Sequence, residues 1–277
     1  MLGDLASGGG YSHPFVSCPA IMPSLAQNLS TVQKRATAAC LAANRPSNAA
    51  RLLSVTKSVD ARTTTELAHL LHNRGPQPVV LAENRVPALM NKVAECKDLG
   101  APPIEWHFIG HLQRNKARRV VRLCHALHAV DSLRLLEAIE RLAGEEQTRV
   151  EVFLQVALTG EAEKDGMDEA ELLRCFAAAR GMRNLDLAGL MAMGPRPESK
   201  ADVRHVFARA GALAHALEAE DRDAFVRGRC ELSLGMSGDL EEAVTAGSHW
   251  LRIGGALFTD LPSAAPVQDP TRGTTRP

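Results

Sequence analysis

The 277-residue chain is poor in aromatic side chains, which make up 4% of its residues and include a single tyrosine, Tyr11. A short basic run at 114–119 contains no aromatic residue, so a surface that stacks the bases of single-stranded nucleic acid is not expected there. The chain also lacks net charge, since 32 Lys and Arg balance 32 Asp and Glu. This balance disfavours a strongly cationic nucleic-acid-binding protein, and no nucleic acid is expected among its partners.

The cysteines show none of the spacings that build a zinc site. Six are present, but no two form a C-x-x-C pair. We interpret them as small buried apolar residues of a reducing compartment. His107 and His111 are four residues apart, but no third ligand follows at zinc spacing, so no metal is expected.

Long apolar runs are missing too. No segment approaches the roughly 20 apolar residues that span a bilayer. The N-terminus has no basic segment followed by an apolar one, and the first Lys or Arg is Lys34. A soluble, cytoplasmic protein without a membrane partner is expected.

The two ends of the chain differ in composition from the rest. Residues 1–24 include Gly8, Gly9 and Gly10 and show no helical or strand period, so they predict a flexible extension. Met22 is an alternative translational start within it. Residues 261–277 are rich in Pro, Thr and Arg and predict a disordered tail. One domain is expected over 25–260.

Between these ends, strand-like and helix-like segments alternate. Strands are predicted at 51–56, 78–81, 105–109, 126–130, 150–156, 185–191, 231–234 and 250–253. Helices are predicted at 25–44, 61–72, 86–96, 115–123, 133–142, 168–179, 200–219 and 240–246. Such alternation indicates a parallel sheet, and eight units in about 240 residues fit a single-domain α/β fold, the (β/α)8 TIM barrel. A doubly wound open sheet is the alternative, but no Gly-x-Gly-x-x-Gly follows the first strand.

In a barrel, the chemistry lies at the carboxyl ends of the strands, and Lys57 follows the first strand. A lysine that ends a buried strand is partly removed from water, which favours its neutral amine. A neutral amine can condense with a carbonyl group to form a Schiff base. The alternative is a solvated lysine at a strand–loop junction. The position of Lys57 alone favours this alternative.

The last two strands end in features that suit an anion. The seventh is followed by Ser237, and the eighth by Gly254 and Gly255. Glycines allow close backbone approach, and barrels often bind phosphate at the loops after strands seven and eight. The alternative is a pair of ordinary glycine-containing turns.

Together, Lys57 and a phosphate pocket suggest a phosphorylated aldehyde held as an imine, and pyridoxal 5′-phosphate (PLP) fits that description. Arg252 lies on the strand that leads to the phosphate loop. An arginine beside the pyridine nitrogen keeps that nitrogen unprotonated, which makes the ring a poor electron sink.

Seven short motifs run in one order through the chain: LSVTK (53–57), ENRV (83–86), IEWHFIGHLQRNK (104–116), HAVDSL (128–133), GLMAMGP (189–195), LSLGMSGD (232–239) and RIGGALF (252–258). They resemble the pyridoxal phosphate homeostasis protein family. The resemblance implies a barrel of the alanine racemase N-terminal type (PLP fold type III). It also implies cofactor-binding roles for Lys57, Asn84, Met236, Ser237, Arg252, Gly254 and Gly255.

The chain departs from the family pattern at a few positions. Gly255 stands where the family usually has threonine, so a hydroxyl to the phosphate is lost, at a cost of about 1 kcal/mol for one hydrogen bond. Leu81-Ala82 replace the usual Phe-Gly, and Ser58-Val59-Asp60 follow the lysine without the usual proline. None of these changes removes Lys57.

Three functions remain open at this point. The resemblance favours a non-catalytic carrier that stores or delivers PLP, with apo PLP-dependent enzymes as partners. A second function is that of a fold-type-III PLP enzyme with weak amino-acid racemase or lyase activity. Related racemases use a tyrosine as second base together with a further domain, whereas Tyr11 falls in the expected extension. A PLP-free phosphate-binding barrel enzyme is the third.

Overall fold

The computed structural model describes residues 24–159, 166–195 and 200–260. Eight helices and eight strands alternate in these ranges: α1 (Leu25–Ala42), β1 (Arg51–Val55), α2 (Ala61–His72), β2 (Val79–Glu83), α3 (Val86–Asp98), β3 (Ile104–Phe108), α4 (Ala117–Leu123), β4 (Ala126–Val130), α5 (Leu133–Glu145), β5 (Val150–Gln155), α6 (Glu169–Ala179), β6 (Leu185–Met191), α7 (Lys200–Glu220), β7 (Glu231–Ser233), α8 (Leu240–Thr245) and β8 (Trp250–Ile253).

The strands form a closed parallel barrel in chain order, and β1 pairs with β8 through the registers Leu52 to Leu251 and Leu53 to Arg252. This closure confirms the (β/α)8 barrel and rules out the open sheet. The predicted bounds of α2, β4, β6 and β8 agree with the structure. The predicted helix at 115–123 instead starts with a 3₁₀ turn at Arg114–Lys116, a common irregularity at helix N-termini.

The described part of the chain begins with Ser24, directly before α1. Ser24 caps α1, because its side chain accepts a hydrogen bond from the Gln27 N–H while the Gln27 side chain accepts from the Ser24 N–H. This reciprocal capping box stabilises the helix start. The rest of the extension, with Tyr11, Cys18 and Met22, lies outside the described residues, as does the tail at 261–277.

The barrel separates two buried regions. A large apolar layer fills the space between strands and helices. A smaller cluster inside the barrel consists of Leu53, Val55, Ala82, Ala129, Phe153, Ala188, Met191 and Trp250. Polar side chains share this interior, and those of His107, His128, Ser233, Glu231 and Arg252 are all buried.

No described helix combines the length and apolar character needed to cross a bilayer. The five cysteines within the described ranges are buried free thiols, which agrees with their interpretation as small core residues. Burial raises the pKa of the Cys175 thiol to about 12, so this residue stays protonated at neutral pH.

Candidate functional site

Four predicted site residues follow the carboxyl ends of strands that are neighbours in the barrel. In barrel order β7, β8, β1 and β2 lie side by side, and they lead to Ser237, Gly254, Lys57 and Asn84. The closed topology thus brings together positions that are up to about 200 residues apart in the chain.

Lys57 lies just beyond β1, where Leu53 and Val55 face the barrel interior. Thr56 continues the strand ladder through a hydrogen bond from its N–H to the Ala82 carbonyl. By strand alternation, Lys57 is the next residue on the interior side, at the barrel mouth. Its side chain is exposed and makes no hydrogen bond or ion pair with a described residue. The expected partial burial is therefore wrong, because Lys57 sits in the turn after the strand.

A buried ion pair anchors the backbone next to Lys57. The Lys92 ammonium donates to the Thr56 carbonyl at 2.7 Å and to Glu83 Oε1 at 2.6 Å, and the Thr56 hydroxyl donates to the same carboxylate oxygen at 2.7 Å. Both charged side chains are buried. Removing one partner of such a pair leaves an uncompensated charge, so the arrangement resists change. It holds the peptide that leads into Lys57.

The turn after β8 contacts the loop after β7. The Ala256 N–H donates to the Ser237 hydroxyl at 3.2 Å. A Cβ on Gly254 would lie 2.9 Å from the Val55 carbonyl oxygen, so only glycine lets this turn pack against β1. Around Gly255 there is more room, since a Cβ there would meet Ser237 Oγ at 3.8 Å, an ordinary contact.

Helix α1 fastens both of these loops from outside. The Asn28 side-chain amide donates to the Leu257 and Thr259 carbonyls, each at 3.1 Å. Arg35 donates to the Ser237 carbonyl at 2.7 Å and forms an ion pair with Glu241. The first helix of the barrel thereby fixes the backbone on either side of the predicted phosphate position.

Asn84 and Met236 are half-buried at the same mouth. A Cβ on Gly110 would lie 2.0 Å from the Asn84 carbonyl oxygen, so glycine there allows the segment after β3 to cover Asn84. The Met236 N–H donates to the Asp239 carboxylate, which holds the loop after β7 in a tight turn. Gly235, with a φ of 82°, supplies the left-handed conformation that this turn requires.

Arg252 lies inside the barrel and is 6% exposed. Its guanidinium donates to the Ser233 carbonyl and hydroxyl and to the Ala192 carbonyl. Burial lowers the pKa of Arg252 to about 10, against the opposing charge of Asp239. It remains a cation, and therefore a pure hydrogen-bond donor, at neutral pH.

The two histidines considered for a metal face different partners. His107 Nδ1 lies 2.9 Å from His128 Nε2 inside the barrel, whereas His111 Nδ1 lies 3.0 Å from Asp131 Oδ2 near the surface. His107 belongs to β3, and its side chain has a buried imidazole across the interior as partner. No cluster of metal-ligating side chains occurs in residues 24–159, 166–195 and 200–260.

At the amino ends of the strands, the barrel carries a dense ion-pair network that the sequence did not reveal. Glu231 is fully buried and accepts hydrogen bonds from Arg51 at 2.7 Å, from Arg229 at 3.0 Å and from the Trp250 indole at 2.9 Å. Burial raises the pKa of Glu231, but its arginine partners outweigh this effect and lower it. A cavity of about 620 Å³ adjoins this network, on the opposite side of the barrel from Lys57.

Residues 23–262 match the family of alanine racemase N-terminal domains. The chain is 35% identical over 247 residues to the pyridoxal phosphate homeostasis protein of Pseudomonas aeruginosa, an alignment that covers 89% of this chain and 100% of that protein. This chain belongs to the pyridoxal phosphate homeostasis protein family.

Two solved structures place this family member among related barrels. PipY of Synechococcus elongatus PCC7942, solved with PLP bound, is 31% identical with a TM-score of 0.72, over 85% of this chain and 100% of that chain. Alanine racemase of Clostridium difficile 630 is 15% identical with a TM-score of 0.63, and the match covers 87% of this chain but 57% of the racemase. The second likeness shows the shared fold alone.

Proposed function

We propose that this chain binds PLP and takes part in PLP homeostasis, storing or delivering the cofactor. One observation carries the proposal: Lys57, the Ser237–Ala256 contact and the guanidinium of Arg252 belong to neighbouring strands β1, β7 and β8 of one barrel. A relative of the same fold binds PLP, and others carry the homeostasis name.

Each residue has a distinct task in this proposal. Ser237 and the backbone of Gly254 and Gly255 would hold the phosphate, where the loops already meet. Arg252 would donate to the pyridine nitrogen, which keeps such a nitrogen unprotonated. Asn84 and Met236 would line the ring. Lys57 would hold the aldehyde carbon through its amine as a reversible C=N linkage, formed from the C=O group with loss of one water molecule.

The bound group supplies an electron-withdrawing ring and a reversible carbonyl linkage. Because Arg252 is held as a donor, it would keep the ring nitrogen of such a group unprotonated, which disfavours carbanion chemistry. This supports a carrier rather than a fast enzyme. The relatives are named for homeostasis and not for a reaction, which points the same way.

Mapping the modified lysine tests the binding site. Borohydride reduction of the holoprotein converts the imine to a stable amine, and peptide mass spectrometry is expected to locate the pyridoxyl group on Lys57. Lys57→Ala is expected to abolish the modification and the imine absorption band without changing thermal stability, because this side chain is exposed and unpaired among the described residues.

Lys97→Ala, at an exposed lysine of α3, is the matched control and should keep both signals. A pyridoxyl group on another lysine would contradict the site. A colourless protein that borohydride leaves unmodified would instead favour the PLP-free phosphate-binding enzyme.

A weak fold-type-III enzyme is the second candidate, since racemases share this barrel. Turnover of D- and L-amino acids by the holoprotein, lost in Lys57→Ala, would favour it. For the delivery role, transfer of PLP to an apo PLP-dependent enzyme should be faster than release into buffer. Equal rates would remove apo enzymes from its partners.

A further inference from the structure

A chain of buried hydrogen bonds crosses the barrel interior and ends at Arg252. His107 Nδ1 lies 2.9 Å from His128 Nε2, and His128 Nδ1 lies 2.8 Å from Ser233 Oγ. Ser233 Oγ in turn lies 3.0 Å from Arg252 Nη1. The first three residues are at most 1% exposed, so water does not interrupt the chain.

Arg252, the last residue of this series of hydrogen bonds, determines which atom donates in each bond. A guanidinium has only donors, so Ser233 Oγ must accept from Arg252. Within the described ranges, the only other hydrogen-bond partner of Ser233 Oγ is His128 Nδ1. We assign the hydroxyl proton to that bond, because accepting from both neighbours would leave a buried proton unpaired. His128 then carries its proton on Nε2 and donates it to His107 Nδ1. His107 must likewise carry its proton on Nε2.

Packing fixes the rings that make this chain. The His128 imidazole stacks on Phe153 with ring centroids 4.2 Å apart, and His107 meets Trp250 edge-on at 5.2 Å. Burial lowers the pKa of His107 to about 3 and that of His128 well below its usual range, so both rings are neutral at physiological pH. With both rings neutral, the Ser233 hydroxyl can donate to His128 while its lone pairs accept from Arg252.

We propose that His128 and Ser233, supported by His107, are positioning residues that hold the Arg252 guanidinium aimed at the ring nitrogen of the cofactor. This inference takes its ligand from the proposed function. The series of hydrogen bonds itself is formed by protein residues only. Their role is to select a ring that carries an acceptor nitrogen. Without them, Arg252 keeps its backbone contacts but loses the side-chain partner that sets its rotation.

The first test uses the protein without ligand. Long-range ¹H–¹⁵N correlation spectra of the imidazoles should show a pyridine-type Nδ1 and a pyrrole-type Nε2 for both histidines, with a coupling between His128 Nε2 and His107 Nδ1. Protonated rings, or protons on Nδ1, would overturn the proposed direction. This measurement does not depend on any variant folding.

The second test compares PLP with its analogue in which C–H replaces the ring nitrogen. The native protein should prefer PLP by about tenfold or more, as expected when a charged donor loses its acceptor. Ser233→Ala and His128→Phe, which preserves the stacking on Phe153, should reduce this preference to less than about threefold.

Ser54→Ala is the matched control, because Ser54 is equally buried and its hydroxyl has no partner among the described residues. It should keep the full preference. An unchanged preference in both test variants would refute the positioning role while leaving PLP binding intact. Failure of the native protein to bind either compound would refute the proposed function, whatever the tautomers are.

Discussion

The two ends of the barrel differ in how fully their charges are paired, although each contains a buried carboxylate in an ion pair. At the amino ends of the strands, Glu231 and Glu151 are each bound by arginines, and the Arg227 guanidinium bridges both carboxylates at 2.7 and 3.0 Å. At the carboxyl ends, Lys57 is exposed and makes no ion pair with a described residue. Paired charges fix a structure, whereas an unpaired amine beside a glycine-rich turn is available to a ligand. The difference separates a stability end from a proposed binding end.

The sharpest way to break this comparison is to remove the central carboxylate of the stability end. Glu231→Ala leaves the buried Trp250 indole and the partly exposed Arg51 guanidinium without their acceptor. We expect a loss of about 2–3 kcal/mol in the free energy of unfolding, because the indole N–H is left unsatisfied while the arginine regains contact with water. Urea denaturation measures it. A loss below about 1 kcal/mol, typical of exposed pairs, would show that this network contributes little.

As the pH falls, the buried histidine should reduce the stability of the fold before the ion pairs do. Burial lowers the pKa of His107 from 6.5 to about 3. Between these two values the unfolded chain is protonated at this histidine, whereas the folded protein is not. Stability is therefore complete above pH 6.5 and falls as the pH drops toward 3, by about 1.4 kcal/mol per pH unit for one such group. Burial raises the pKa of Glu151, but Arg227 and His125 outweigh it and lower the pKa to about 2, so this pair adds its own loss only below pH 4.5.

Urea denaturation between pH 7.5 and 5 checks this order. A decline is expected in that interval, and His107→Phe should reduce its slope. A flat profile down to pH 5 would mean that the imidazoles are not buried in solution.

At the binding end, Ser237→Ala should weaken PLP retention by about 1–2 kcal/mol, the value of one charge-assisted hydrogen bond. Folding should change less, because the Ser237 backbone keeps its bond to Arg35. The dissociation rate of PLP, followed by absorbance, gives the effect. Unchanged dissociation would remove Ser237 from the phosphate contacts.

The smallest expected effect is a gain in affinity for PLP. Gly255→Thr should restore the hydroxyl that the family usually has, and the 3.8 Å clearance to Ser237 Oγ leaves room for it. We expect PLP to bind more tightly by about 1 kcal/mol, measured by equilibrium dialysis. Gly255→Val has the same branched shape without the hydroxyl and should show no gain. Equal effects of the two variants would assign the change to backbone stiffening.

The sequence was sufficient to predict the barrel, because each strand and helix has its own local pattern and eight repeats allow few architectures. Lys57 and the Gly254 turn could be placed because strand ends meet at one edge of a parallel barrel. For Lys57 the sequence left two interpretations open, and the structure shows the solvated lysine that its position alone favoured. The sequence could not decide between them, since burial depends on where the turn directs the side chain.

The polar side chains inside the barrel could not be predicted from the sequence, for another reason. Both faces of a parallel strand are buried, so a pattern does not reveal which side chains point inward. His128 and Ser233 are 105 residues apart, and their pairing depends on the barrel register. Glu83 had a weak sequence signal, because it is a carboxylate at the end of the apolar strand β2. Nothing in the sequence identified Lys92 on α3 as its partner.

The attachment of α1 to the loops after β7 and β8 makes this helix a reporter of events at the barrel mouth. Asn28 and Arg35 hold carbonyls of the very segments that would close on a phosphate. We therefore expect any tightening of those segments to slow amide exchange in the first helix, away from Lys57. A hydrogen-exchange experiment could follow cofactor loading there without observing the cofactor.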